Sequence, residues 1–266
     1  MTFGDVLRNY FTHKDFLPPA DQIPGSLFTP LQILSELLWA GLVVILVVIF
    51  SKKSEQVIKR YFLFAWLATL ILEPIIIWYD TMAGKAPSFD WQGGLSLYPC
   101  SLFMVAMPFA IWGKPAVRYA ACGYVCTLGL FGGAINFVYP VNVMSNYSAF
   151  SFAGFHTQFY HSTIVSCALI MICSGYHSYL KAKSWKDLVL PCIPCLLFSI
   201  PANFVNFTIG SDYMFFRLGS FFFAPLGAML PTAVCVIIVY IIYGIIHIVP
   251  YLPGYVKNRK SVTANV

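Results

Sequence analysis

Cys100 and His161 are the side chains of this sequence best suited to covalent chemistry, and each falls five residues into its own apolar stretch. A thiol becomes a nucleophile once a neighbouring base takes its proton, and a neutral imidazole can take that proton and return it to a leaving group. The natural intermediate of such a pair is a thioester. Glu36 and Glu73 lie in two further apolar stretches, and either carboxylate would orient the imidazole by accepting its second ring N–H. Asn136, Asn203 and Asn206 offer amide donors for an oxyanion. Gln158 precedes His161 by three residues, and Tyr213 follows in a loop, so both are candidates for the same polar shell.

The elements that must position these groups are apolar helices. Of the 266 residues, 59% are hydrophobic, 17% aromatic and only 10% charged. A soluble domain carries about 25% charged residues, so this chain has no polar skin to offer water. The composition specifies an all-α, polytopic membrane protein. The net charge of +6 is not a nucleic-acid signal, because the basic residues sit in short loops between apolar stretches. No cofactor motif or convincing metal-ligand spacing occurs, and membrane lipids are the expected environment and substrate. The eight cysteines all lie within apolar stretches and read as free, buried thiols.

Seven spans are expected, at about 28–50, 61–80, 95–113, 118–139, 156–179, 187–208 and 223–248. Each is long enough for a hydrocarbon core of roughly 30 Å at about 1.5 Å per residue. Twelve Lys or Arg (52, 53, 59, 60, 114, 118, 181, 183, 186, 257, 259 and 260) fall in alternate loops, against Arg8, Lys14, Lys85 and Arg217 in the others. The positive-inside rule then places the N-terminus outside and the C-terminus in the cytoplasm. The chain divides into an extracellular or interfacial segment 1–26, a seven-helix domain 27–251 and a basic cytoplasmic tail 252–266. Residues 1–26 hold no continuous apolar core of a signal peptide, and Phe3 to Leu17 would lie flat on the outer surface.

Threaded this way, Glu36, Glu73, Cys100, Asn136, His161, Asn203 and Asn206 all fall within roughly 12 Å of the outer boundary. A bilayer penalises each such group, so seven at one depth argue for a shared site. Gln32 and Glu36 are four residues apart, as are Thr69 and Glu73, and each pair shares a helix face. Gly129 and Gly133 form a small-residue face on span four that admits a close neighbour. The loops 81–94, 140–155 and 209–222, with Trp91, Tyr147 and Tyr213, would either cap a pocket or anchor at the interface. His156 stands at the outer boundary beside the layer, whereas His177 and His247 lie near the inner face and read as local hydrogen-bonders.

Two other readings fit the same layer. A small-solute transporter or binder would use Glu36 and Glu73 as proton or cation sites, though no inverted repeat is visible. A structural protein would use the polar groups only to bond helices.

Three motifs carry a family resemblance. Leu95-Ser-Leu-Tyr-Pro-Cys100-Ser-Leu resembles the "LPLHLC" signature of the YwaF-like bacterial membrane proteins. Phe159-Tyr160-His161-Ser162 resembles their later helix with an outer-face His, and Asn206 through Phe215 resembles their "N…G-x-N-Y-M-F" segment. That family is similar to a vertebrate transmembrane acyltransferase that places polyunsaturated acyl chains on ether phospholipids. The resemblance implies a Cys–His pair at Cys100 and His161 and a bacterial plasma-membrane location. The chain departs from the pattern with Tyr98 in place of His, Asp212 in place of Asn, and Pro140-Val141-Asn142 where Pro-Asp is usual.

Overall fold

The computed structural model describes residues 9–19, 22–23, 25–219 and 224–263, with side chains described as far as Arg259. Among the described residues there is no strand. Helix α1 (Pro30–Phe50) begins where Thr29 accepts the Gln32 N–H at 3.3 Å and Pro30 fills the first turn. Helix α2 (Glu55–Met82) carries Pro74, which cannot donate to the Leu70 carbonyl. Helices α3 (Leu102–Trp112) and α4 (Pro115–Val138) follow, the latter with a π-helical segment at Val125–Gly129. Ser151 caps α5 (Phe152–Cys173) by accepting the Gly154 N–H at 3.0 Å. Gly210, at φ 75°, closes α6 (Trp185–Ile209) in the left-handed conformation that suits glycine. Helix α7 (Thr232–Ile248) runs through the 3-10 turn Val249–Tyr251 into α8 (Leu252–Thr263).

Five stretches, Pro30–Phe50, Glu55–Met82, Pro115–Val138, Trp185–Ile209 and Thr232–Arg259, are long and apolar enough to cross a membrane. Three expected spans differ. Span five, expected over 156–179, is helical over Phe152–Cys173 and is not among the five stretches. Span three is helical only from Leu102, because Pro99 disfavours helical geometry at Tyr98 and residues 95–101 are held in turns by side chains of other elements. Span seven is broken between Ala224–Met229 and Thr232, where Pro231 precedes the helix start.

Burial runs opposite to that of a soluble bundle. Helix α1 buries Gln32, Ser35, Glu36 and Val43, while Leu34, Leu37 and Leu38 are exposed at 49%, 65% and 62%. The solvent that accepts those leucines is hydrocarbon. Helix α5 is the element the others surround. It packs on α1, α2 and α4 and buries fifteen of its 22 residues. Its polar residues face protein rather than lipid, which explains why it is less apolar than the five stretches above.

The connections gather at two ends. At one, Ala149 N donates to the Gly25 carbonyl at 2.8 Å, Gln92 Nε2 to the Ile209 carbonyl at 3.2 Å, and Phe152 N to the Tyr10 carbonyl at 2.7 Å. At the other, Arg118 meets Glu55 at 2.8 Å, Tyr119 donates to the Asp187 carbonyl at 3.3 Å, and Asn258 bonds the Leu180 and Ala182 carbonyls at 2.9 and 2.8 Å. His177 pairs with Tyr251 at 2.6 Å, and Thr127 with His247 at 2.6 Å, at the second, basic end. The described part of the N-terminal segment packs at the first end, with His13 against Tyr79 and Tyr147; residues 1–8 lie outside the described residues.

Candidate functional site

Cys100 lies in a turn two residues ahead of α3, whose N-cap is Ser101. Two buried hydroxyls hold that turn. Tyr124 of α4 donates to the Pro99 carbonyl, and Tyr160 of α5 donates to the Cys100 carbonyl at 3.4 Å. A third tyrosine, Tyr213, accepts the Leu95 N–H at 2.9 Å and donates to the Trp91 carbonyl at 3.0 Å. Backbone that leaves the helix needs other partners for its N–H and C=O groups, and here three side chains supply them. Cys100 as a residue is half-buried, and its thiol is free of any disulfide.

Glu73 is the hub of the polar groups around this turn. Ser96 Oγ donates to Glu73 Oε1 at 2.5 Å, and His156 Nε2 stands 3.3 Å from Glu73 Oε2. Ser96 lies four residues before Cys100 and His156 five residues before His161, so Glu73 ties the segment that carries the thiol to the helix that carries the imidazole. His161 Nδ1 lies 2.8 Å from the Thr157 carbonyl, one turn earlier on α5. A carbonyl only accepts, so Nδ1 carries the hydrogen and Nε2 keeps the lone pair that a base needs. Among the described residues no hydrogen bond joins Cys100 to His161; Glu73 links their neighbours Ser96 and His156 instead.

Helix α4 approaches closely behind this site. A Cβ on Gly133 would stand 2.7 Å from Val165 Cγ2 and 3.2 Å from the His161 carbonyl. The small-residue face of span four is this contact.

Residues 27–251 match the TMEM164 family, a stretch that takes in α1 through α7 and every group around Cys100, Glu73 and His161. The chain belongs to the TMEM164 family. No curated protein and no solved structure matches it. Family and apolar helices together make this an integral membrane protein.

The remaining polar residues of this TMEM164-family protein divide into separate groups. Asn206 organises a loop: its Oδ1 accepts from Ser211 Oγ and Tyr213 N at 2.8 Å each, and its Nδ2 donates to the Tyr213 carbonyl at 2.8 Å. Tyr213 in turn fastens the Cys100 turn, so Asn206 acts on the site through Tyr213. Asn203 instead donates to Tyr240 at 3.2 Å and bonds α6 to α7. Asn136 is buried with its amide nitrogen unpartnered. Glu36 is paired with Gln32 and Gln158 on the α1–α5 contact, apart from Glu73.

Two departures from the YwaF-like pattern have local explanations. Tyr98 packs its ring 5.2 Å from that of Tyr213 and 5.6 Å from that of Phe215. Asp212 accepts from Arg217 N at 2.6 Å on one oxygen and from Gly219 N at 2.9 Å on the other, where an asparagine has a single acceptor oxygen.

A cleft of about 280 Å³ opens at the same end of the bundle, walled by Lys14, Asp15, Asp80, Phe89 and Gly94. Ile77 lines it one turn beyond Glu73, and Gly94 lies two residues before Ser96. Among the described residues no three His, Cys, Asp or Glu side chains gather to hold a metal. Sequence reading missed Ser96, Tyr124 and Tyr160. Ser96 and Tyr160 lay inside the motifs that carry Cys100 and His161, whereas nothing in the sequence distinguishes Tyr124, which bonds backbone, from an ordinary core ring.

Proposed function

We propose that the protein is a membrane acyltransferase or transacylase that moves acyl chains between phospholipids, with Cys100 as acyl acceptor and His161 as general base. One observation carries the reading. Glu73 bonds Ser96, four residues before the free thiol Cys100, and meets His156, five residues before His161 with its available Nε2, beside a turn that three tyrosines fasten.

In this reading the chain crosses the membrane seven times, counting residues 95–112 and α5, with the N-terminus outside and the basic end in the cytoplasm of a bacterial cell. The gathering of alternate loops at opposite ends and the twelve basic residues at one of them support it. The site then faces the outer leaflet, and the adjoining cleft would take the lipid's polar head, with Lys14 beside the phosphate.

His161 Nε2 takes the thiol proton as Cys100 sulfur bonds to the ester carbonyl of the donor lipid. The carbon–oxygen bond breaks, the imidazolium returns the proton to the departing lysophospholipid, and a thioester remains. The acceptor's hydroxyl next gives its proton to the same nitrogen while its oxygen attacks the thioester. The carbon–sulfur bond breaks and the thiol is re-formed. Glu73 balances the imidazolium charge during both steps.

The test is lipid remodelling by the purified protein in vesicles of defined phospholipids, read by mass spectrometry. Wild type is expected to exchange acyl chains and to carry a hydroxylamine-labile acyl label on Cys100. Equal remodelling by Cys100→Ala would falsify the proposal. Solute uptake lost in Glu73→Gln and unaffected by Cys100→Ala would establish the transporter reading in its place.

A further inference from the structure

The α1–α5 contact holds a carboxyl group whose hydrogen bonding is lopsided. Glu36 Oε1 accepts two donors, Gln32 Nε2 at 2.8 Å and Gln158 Nε2, whereas Glu36 Oε2 is buried with no partner. Gln158 Oε1 is likewise buried with no partner. Glu36 is 7% exposed, Gln32 2% and Gln158 0%. The orientation of Gln32 is independently set, because its Oε1 accepts the Phe28 N–H at 3.1 Å and leaves its nitrogen to face Glu36.

An ionised carboxylate has two equivalent oxygens and shares its donors between them. A carboxylic acid has one carbonyl oxygen that accepts and one hydroxyl that donates. The observed pattern is that of the acid. A hydrogen on Glu36 Oε2 would give the unpartnered Gln158 Oε1 a donor, and with the existing Gln158 N–H contact would close a cyclic acid–amide pair. A single proton would then satisfy two of the buried unpartnered atoms at once. No charged side chain acts on Glu36 from either helix; its partners are Gln32 on α1 and Gln158 on α5, the helix on which α1 chiefly packs. Trp39 lies 5.7 Å from Phe155 and 6.4 Å from Phe159 in the same contact, so its surroundings are aromatic and offer no counter-charge. A buried anion without a counter-charge or full hydrogen bonding is strongly disfavoured.

We infer that Glu36 and Gln158 form a proton-binding site that joins α1 to α5, with the proton resident on Glu36 at neutral pH. The site stands independently of the acyltransferase reading. Gln158 lies one helical turn before His161, so loss of the proton would perturb α1 and α5 next to the catalytic candidate.

Infrared spectroscopy of the full-length protein in lipid at neutral pH tests this. Wild type is expected to show a protonated-carboxyl band that shifts in heavy water and is absent from Glu36→Gln. That variant can form the equivalent amide–amide pair, so its unfolding temperature should match wild type. A wild-type spectrum that loses no carboxylic-acid band in Glu36→Gln overturns the inference. If that variant does not fold, Gln158→Met must move the wild-type band to higher frequency, that of an acid keeping only its Gln32 bond, and an unmoved band overturns it. A rise in wild-type unfolding temperature on adding sodium, absent from Glu36→Gln, would assign the site to a metal cation instead and also overturn it.

Discussion

Glu73 on α2 and His156 on α5 face each other at 3.3 Å, and the same carboxylate holds Ser96 through its other oxygen at 2.5 Å. The contact ties two helices to the turn that carries Cys100. Glu73→Gln keeps the shape and an acceptor for Ser96 but removes the charge that balances an imidazolium. Acyl transfer should fall on the order of 10²-fold, read as initial rates of lipid remodelling. An unchanged rate would remove Glu73 from the mechanism.

Cys100→Ser and His161→Ala test the pair itself. Each should lower acyl transfer by about 10²–10⁴-fold, the range ascribed to general acid–base groups. Cys100→Ser should also abolish the hydroxylamine-labile label. Full thioester labelling in His161→Ala at the wild-type rate would show that another base serves Cys100.

The tyrosine clamp should be read in stability as well as rate. Tyr124→Phe leaves the buried Pro99 carbonyl without its partner, at a cost of about 1–3 kcal/mol. A lowered unfolding temperature together with reduced activity is expected. Unchanged values for both would mean that the turn holds itself.

Gly133 and Gly132 form a matched pair. Alanine at 133 meets Val165 Cγ2 at 2.7 Å and the His161 carbonyl at 3.2 Å, whereas a Cβ at 132 has nothing within 4 Å. Gly133→Ala should destabilise by about 1–3 kcal/mol through overpacking and slow acyl transfer by displacing the backbone of His161. Gly132→Ala should do neither. Thermal unfolding of the two variants side by side decides the matter.

At the basic end, Lys59 at 3.0 Å and Arg118 at 2.8 Å hold the Glu55 carboxyl below its ordinary value. A depressed carboxylate contributes stability that is fully present above its unfolded value and lost as pH falls through the folded one. The Glu55 side chain is 56% exposed, so its pairs contribute only about 0–1 kcal/mol. The small stability difference between wild type and Glu55→Gln should therefore be present at neutral pH and vanish on acidification below about pH 4. A difference that grows in acid would contradict this assignment.

The sequence alone determined that the chain is helical and membrane-embedded, because 59% hydrophobic and 10% charged residues leave no other solvent for its surface. It also singled out Glu73, Cys100 and His161 by their positions along apolar stretches, since rise per residue converts position into expected depth. Only the tertiary structure decided which of these polar residues meet. Position along a span does not say which way a side chain points: Asn203 turns to Tyr240, Glu36 to Gln158, and Glu73 to Ser96 and His156. It likewise took the folded chain to show Cys100 on a turn rather than a helix. The hydroxyls that make the turn possible come from Tyr124, Tyr160 and Tyr213, and the first two differ from core aromatics only in the carbonyls they reach.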